Sequence, residues 1–174
     1  MAVEEIFSTE IIKTVIHSVD LDRVENACLK VEKEYESTHR SNLFGYQSPS
    51  TLFHSEDLRF VLDEITASVR GILNRDVIEQ NAWVNINKMN GMNKKHSHPQ
   101  SYRSAVLYVT DAYSSIRFFD PRPAASHVEN SPCYSFQPKR GDILIFPAWL
   151  EHDVEPNMTN NNRITIACNY GHTQ

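Results

Sequence analysis

Beyond residue 80 the chain carries a series of short apolar segments, each strand-length and each followed by residues that break regular structure. The segments are "AWVNINKM", "RSAVLYV", "IRFF", "CYSF", "DILIFP" and "RITIACNY". Between them lie "DPRP", "KRGD" and "EPNMTNNN", rich in Pro, Gly, Asn and Asp. A helix needs an uninterrupted apolar stripe, and these breakers cut every candidate short. In "AWVNINKM" the alternation is explicit. Ala82, Val84 and Ile86 fall on one side, and Trp83, Asn85 and Asn87 on the other. The second half is therefore a set of short strands.

The first half reads differently. Apolar residues recur at Leu21, Val24, Ala27, Cys28, Val31 and Tyr35, with Asp20 placed to cap the start of a helix. In "SEDLRFVLDEITASVRGIL", Leu58, Val61, Leu62, Ile65, Val69, Ile72 and Leu73 fall on one face. Ser55 is the expected cap there, and Glu56 and Asp57 suit the positive end of the helix dipole. "SNLFGYQSPSTLF", between the two, reads as loop or short strand. Helices first and many strands afterwards predict a mainly β protein, with N-terminal helices packed on a double-sheet jelly roll. One domain over 1–174 is expected, with 1–76 as its helical part and 77–174 as the jelly-roll core.

The bulk numbers exclude several roles. The net charge is −5, and the only dense basic pairs are Lys94-Lys95 and Lys139-Arg140, so no nucleic-acid partner is expected. No apolar run approaches the length of a membrane span, and "MAVEEIFSTE" has no signal-peptide core, so a cytoplasmic location is expected. Cys28, Cys133 and Cys168 are widely spaced and odd in number, which fits a reducing compartment rather than a disulfide framework.

The chemistry begins at "KKHSHPQSYRS". His96 and His98, two apart on an extended segment, point the same way. Such a pair alone occurs readily on exposed loops. His152 follows the strand "GDILIFPAWLEH", and Arg163 opens "RITIACNY" eleven residues later, with Thr165 on the same strand face. Tyr108 shares a face with Ser104 and Val106. If those faces line the barrel interior, they enclose a pocket with a metal at one end and a cation with two hydroxyls at the other. A small dicarboxylate suits that pocket, since a guanidinium fork accepts two oxygens at once. Histidines with open positions for other ligands are typical of a non-haem iron site.

Over residues 81 to 171 these motifs resemble the iron(II)- and 2-oxoglutarate-dependent oxygenases, in particular a branch of phage and bacterial proteins. The resemblance rests on "WVN" at 83–85, "HSHPQS" at 96–101 and "AVLYV" at 105–109. It continues with "FFDPRP" at 118–123, "GDILIFPAWLEHDVEPN" at 141–157 and "RITIACNY" at 163–170. It implies a double-stranded β-helix, Fe²⁺, 2-oxoglutarate as co-substrate and O₂. It also implies His96, His98 and His152 as metal ligands, with no further catalytic residue. Arg163, Thr165 and Tyr108 are implied for the far carboxylate of 2-oxoglutarate. Asn85, Asp120 and Arg122 are candidates for substrate contact or for support of the ligands. The chain departs from the family at position 98, where Asp or Glu is usual. Three arrangements follow: a three-histidine site, a two-histidine site supported by His98, or Asp120 reaching in as the carboxylate. Strand geometry delivers His98 beside His96 without further assumption, and the three-histidine site is preferred.

Other residues read as structural. Trp83, Phe146 and Trp149 are expected in the core, Asp142 in a turn, and Arg103, Arg117 and Arg122 in solvent. Two loops, 88–95 and 121–132, are expected to cover the site. The reaction expected is hydroxylation of a small-molecule or peptide substrate coupled to conversion of 2-oxoglutarate into succinate. The alternative is a cupin-like jelly roll that binds a metal and a small molecule without oxidising it.

Overall fold

A computed structural model describes residues 2–4, 6–38, 40–122 and 133–173. Helix α1 (Leu21–Glu34) starts where expected, with the Asp20 carboxylate accepting from the amides of Asp22 and Arg23. Helix α2 spans Arg59–Leu73 and starts later than the sequence suggests. A 3-10 turn at Leu52–His54 comes first, and Ser55 closes that turn instead of capping α2. Asp57 is drawn away to Lys30 at 2.6 Å. The amides of Val61 and Leu62 both bond to the Leu58 carbonyl, and Leu58 itself is fully buried. Tertiary burial thus sets this helix start in place of a side-chain cap. Ile72, expected on the buried face, is exposed near the end of the helix.

Among the described residues, eleven strands form two antiparallel sheets. The large sheet runs β1 (Ile12–Val15), β9 (Asp142–Pro147), β6 (Arg103–Tyr108), β11 (Arg163–His172), β4 (Val77–Asn87), β3 (Tyr46–Gln47). The small sheet runs β2 (Asn42–Leu43), β5 (Met92–His96), β10 (His152–Val154), β7 (Ile116–Phe119), β8 (Cys133–Phe136). This is the expected double-stranded β-helix with two helices on one side. Strand β1 has no counterpart in the sequence reading. It is an edge strand whose "IKTV" alternates exposed and half-buried positions, a weak apolar signal over four residues.

The inner strand β9 of the large sheet serves two compartments. Ile143 and Ile145 of β9 join the cluster under the helices with Val84, Ile86, Ile164 and Ile166. Leu144 and Phe146 face the other way, into a second cluster with Tyr108, Ile116, Phe118 and Leu150. Burial on both faces explains why "DILIFP" is an unbroken apolar run, a pattern more usual in parallel sheets. Burying one such side chain fully contributes about 1.5–3 kcal/mol. The turn into β9 needs Gly141, whose φ of +89° a side chain would strain. Asp142 closes this turn by accepting from the Lys139 amide at 2.7 Å, as expected, and it also pairs with Lys13. Trp149 corrects the core expectation, for it is 49% exposed on the turn after β9. Among the described residues, no helix is long and apolar enough to cross a membrane.

Candidate metal centre

Strands β5 and β10 lie side by side, and their register sets His96 directly opposite His152. Side chains at opposed antiparallel positions have Cβ atoms about 4.5–5.5 Å apart, and the two rings stand 4.4 Å apart. The register then slips by one residue between His152 and Val154, an irregularity of the kind that re-aims side chains beside active sites. His98 sits two residues beyond His96. Its amide donates to the Ala148 carbonyl at 2.7 Å, which ties it to the turn after β9. The His98 ring lies 5.0 Å from His96 and 5.4 Å from His152. One ligand atom from each of the three histidines falls within 4.8 Å of the others. Among the described residues no other group of three His, Cys, Asp or Glu is so placed.

The protonation of the rings follows from their partners. His96 Nδ1 lies 2.6 Å from the Lys94 carbonyl and His152 Nδ1 lies 2.8 Å from that of Leu150. A carbonyl only accepts, so each Nδ1 carries the proton and each Nε2 keeps its lone pair. Burial pushes all three histidines down. His98 falls to about 4 and His152 to about 3, with neighbouring histidines adding to the shift. Three imidazoles that are neutral at pH 7 form a ready donor set for a transition metal.

Behind the triad runs a narrow interior slot of about 40 Å³. Its walls are the faces read from the sequence. Ser104, Val106 and Tyr108 come from β6, Arg163 and Thr165 from β11, and Asn85 from β4. Register places Thr165 between Tyr108 and Asn85. Arg163 is 1% exposed. Its Nη1 donates to the Ser114 hydroxyl and to the Glu155 carbonyl at 3.0 Å. Turned so that its oxygen faces the guanidinium, the Asn87 amide accepts from Arg163 Nη2 at 2.8 Å. All of these partners are neutral, and no carboxylate pairs with the buried cation. Burial accordingly pushes Arg163 down to about 10. Burial also pushes the Tyr108 hydroxyl up, so it stays protonated and able to donate. Asn85 Oδ1 is buried with no partner, a further unmet polar atom in the slot.

Several expectations change. Trp83 and Phe146 are buried, yet both wall the site. Trp83 tilts against His98 at 5.4 Å and Phe146 stands edge-on to His152 at 4.9 Å. Asp120 is outside the triad. Its carboxylate is held by Arg122 through the backbone amide at 2.9 Å and the guanidinium at 2.5 Å. Arg122 is likewise engaged there, so neither lines the slot. Arg117 is not a free surface cation, for it grips Asp153 through Nε at 2.8 Å and Nη2 at 2.6 Å. That fork pins the strand position next to His152. Arg103 is mostly buried, with its Nε unpartnered. Of the two expected covering loops, 88–91 is a turn and 92–95 belongs to β5, while 121–132 lies outside the described residues from position 123 on. The polar inner residues Asn87, Asn93, Ser114 and Asn169 were not singled out from the sequence. The one available signal was the Asn-x-Asn alternation of β4, which reads equally well as a solvated face.

The family description "Putative 2OG-Fe(II) oxygenase" matches residues 81–169, more than half of the chain. The chain belongs to the 2OG-Fe(II) oxygenase family. No curated protein matches the sequence. Among solved structures, the fold is similar to the non-heme alpha ketoglutarate dependent epimerase SnoN from nogalamycin biosynthesis. The TM-score is 0.75 at 13% identity, covering 92% of this chain and 76% of that one. It is similar to AviO1 from Streptomyces viridochromogenes, with a TM-score of 0.73, 12% identity and coverage of 94% and 90%. HygX from Streptomyces hygroscopicus, solved with nickel and 2-oxoglutarate bound, gives 0.71 at 15% identity, with coverage of 95% and 84%. At such identities the likeness speaks for the double-stranded β-helix alone.

Proposed function

We propose that this chain is a non-haem Fe²⁺- and 2-oxoglutarate-dependent oxygenase that hydroxylates a C–H bond of its substrate. The observation that carries this reading is Arg163, a buried guanidinium without a carboxylate partner, in the same slot that three neutral histidines close. A cation held this way gains most from an anion that enters and is dehydrated with it.

The donor set fits the metal. His96, His98 and His152 would bind it through the ring nitrogens left unprotonated, and the Lys94 and Leu150 carbonyls would hold two of the rings in orientation. Bound iron supplies the oxidation of 2-oxoglutarate by O₂ to succinate and CO₂, with the second oxygen atom inserted into a substrate C–H bond. The residues of the slot do the rest. Arg163 receives the distal carboxylate of 2-oxoglutarate, and the Thr165 and Tyr108 hydroxyls donate to it. Phe146 and Phe118 keep bulk water away from His152.

With His at position 98, no ligand cancels charge on the divalent metal. The site then presents two positive charges from the metal and one from Arg163 to a co-substrate carrying two negative ones. That balance favours tight binding of the dianion and makes oxidation of the metal harder than in a site with a carboxylate ligand. The cupin-like alternative draws on this same feature.

The test is titration of Mn²⁺ into apo protein, followed by titration of 2-oxoglutarate without oxygen. One metal per chain and co-substrate binding that depends on it are expected. Co-substrate affinity that is the same with and without metal would refute the shared site.

A further inference from the structure

The slot accounts for one side of the histidines, and a second cavity opens on the other. It is a groove of about 510 Å³, within the range of about 300–1,000 Å³ for small-molecule sites. Groove and slot share Trp83, His96 and His98 as walls, so a molecule in the groove meets two of the three histidines directly.

The chemistry of the groove is one-sided. Among the described residues, its walls hold carboxamides, hydroxyls and cations, with Trp83 and Pro99 the only sizeable apolar side chains and no carboxylate. Arg40, Lys94 and Lys95 all border it, on a chain whose net charge is −5. Lys95 is paired with Glu151, whereas among the described residues Arg40 and Lys94 form no ion pair with a carboxylate. Gln47 is 5% exposed and its Oε1 is buried without a hydrogen-bond partner. Buried polar atoms are rarely left this way, and each instance calls for a missing partner. An amide oxygen can only accept, so the missing group is a donor. Gln47 stands in register with Asn85 across β3 and β4, so the orphaned acceptor lies beside the wall of the slot.

We propose that the groove binds the substrate to be oxidised and that this substrate is a small hydrophilic anion. Gln47 accepts from one of its O–H or N–H groups, and Arg40 and Lys94 face its anionic group. The assignment of this molecule as the one oxidised rests on the oxygenase reading, while its binding does not. Apolar and cationic molecules are disfavoured, because the first would bury the carboxamides without partners and the second would meet like charge.

Saturation-transfer NMR on the whole protein with four matched probes tests this: glucose 6-phosphate, glucose, glucosamine and hexanoate. Glucose 6-phosphate is expected to bind several-fold better than the other three, with an affinity that falls as salt rises. Gln47→Leu and Lys94→Glu should each weaken it by about three- to tenfold, the loss of one hydrogen bond or one exposed charge contact. Equal binding of all four probes, binding of none, preference for glucosamine or hexanoate, or unchanged affinity in both variants would overturn the assignment. If Gln47→Leu fails to fold, the probe order and Lys94→Glu decide. Mn²⁺ and 2-oxoglutarate binding are measured separately in each protein. Their loss with the probe order intact counts against the oxygenase reading alone. The reverse result counts against the groove alone.

Discussion

Replacing Arg163 with Met removes the charge that 2-oxoglutarate binding needs, and its cost to folding can be measured apart from its cost to binding. Met retains much of the bulk and removes the charge. In the free protein the guanidinium is 1% exposed and has only neutral partners. Its depression from 12.5 to about 10 corresponds to roughly 3 kcal/mol against the charged form. Removing it relieves that cost but forfeits charged hydrogen bonds to Ser114, Glu155 and Asn87, each contributing about 1.5–3 kcal/mol. The forfeited bonds outweigh the relieved cost, so the melting temperature of the free protein should fall. Binding is therefore read on protein shown to be folded. A hydrogen bond between charged groups contributes about 1.5–3 kcal/mol, so 2-oxoglutarate affinity should fall about ten- to more than a hundredfold. Arg163→Lys should recover part of this, keeping the charge and losing the fork. The assay is calorimetric titration of 2-oxoglutarate into Mn²⁺-loaded protein without oxygen. Binding of Arg163→Met within threefold of the parent would refute the argument, since the buried cation would then have no anion to meet.

Other outcomes follow from the same geometry. Thr165→Ala and Tyr108→Phe should each cost about 0.5–1.5 kcal/mol of 2-oxoglutarate binding, clearly less than Arg163→Met; a loss as large as that of the arginine variant would mean that the hydroxyls do more than donate one hydrogen bond. His98→Asp should keep metal binding, because it supplies a carboxylate at the same position two residues past His96; metal analysis showing an empty but folded variant would count against a ligand role for this position. Leu62→Ala, on the buried face of α2 and away from the triad, should destabilise the fold by about 2–5 kcal/mol in denaturant melts and leave Mn²⁺ stoichiometry unchanged.

The convergence of His96 with His152 could be anticipated because both flank strands whose ends are marked by Pro, Gly and charged residues. The faces holding Tyr108, Arg163 and Thr165 followed from the two-residue period of a strand. What period alone could not supply was the surroundings of each face. Asn85 and Asn87 alternate with apolar residues whether the polar side meets water or a closed slot, so their burial was not visible. Trp83 and Phe146 looked like core because an aromatic ring against an imidazole has the same sequence signature as one against Leu. Asp120 was available as a ligand in sequence, but it stands apart from the three histidines and Arg122, two residues on, holds its carboxylate. The start of α2 was misplaced because Ser55, Glu56 and Asp57 fit a helix N-terminus by type, while the 3-10 turn at Leu52–His54 and the burial of Leu58 decide where the helix begins.

Succinate formation from 2-oxoglutarate by Fe²⁺-loaded protein in air tests the central claim most directly, with His96→Ala and His152→Ala as controls. The account predicts slow succinate production by the parent without added substrate, dependent on iron and oxygen. Each alanine variant should lose metal and succinate together. Succinate no higher in the parent than in His152→Ala, with metal and 2-oxoglutarate both bound, would contradict it and make the chain a metal-dependent binding protein on an oxygenase fold.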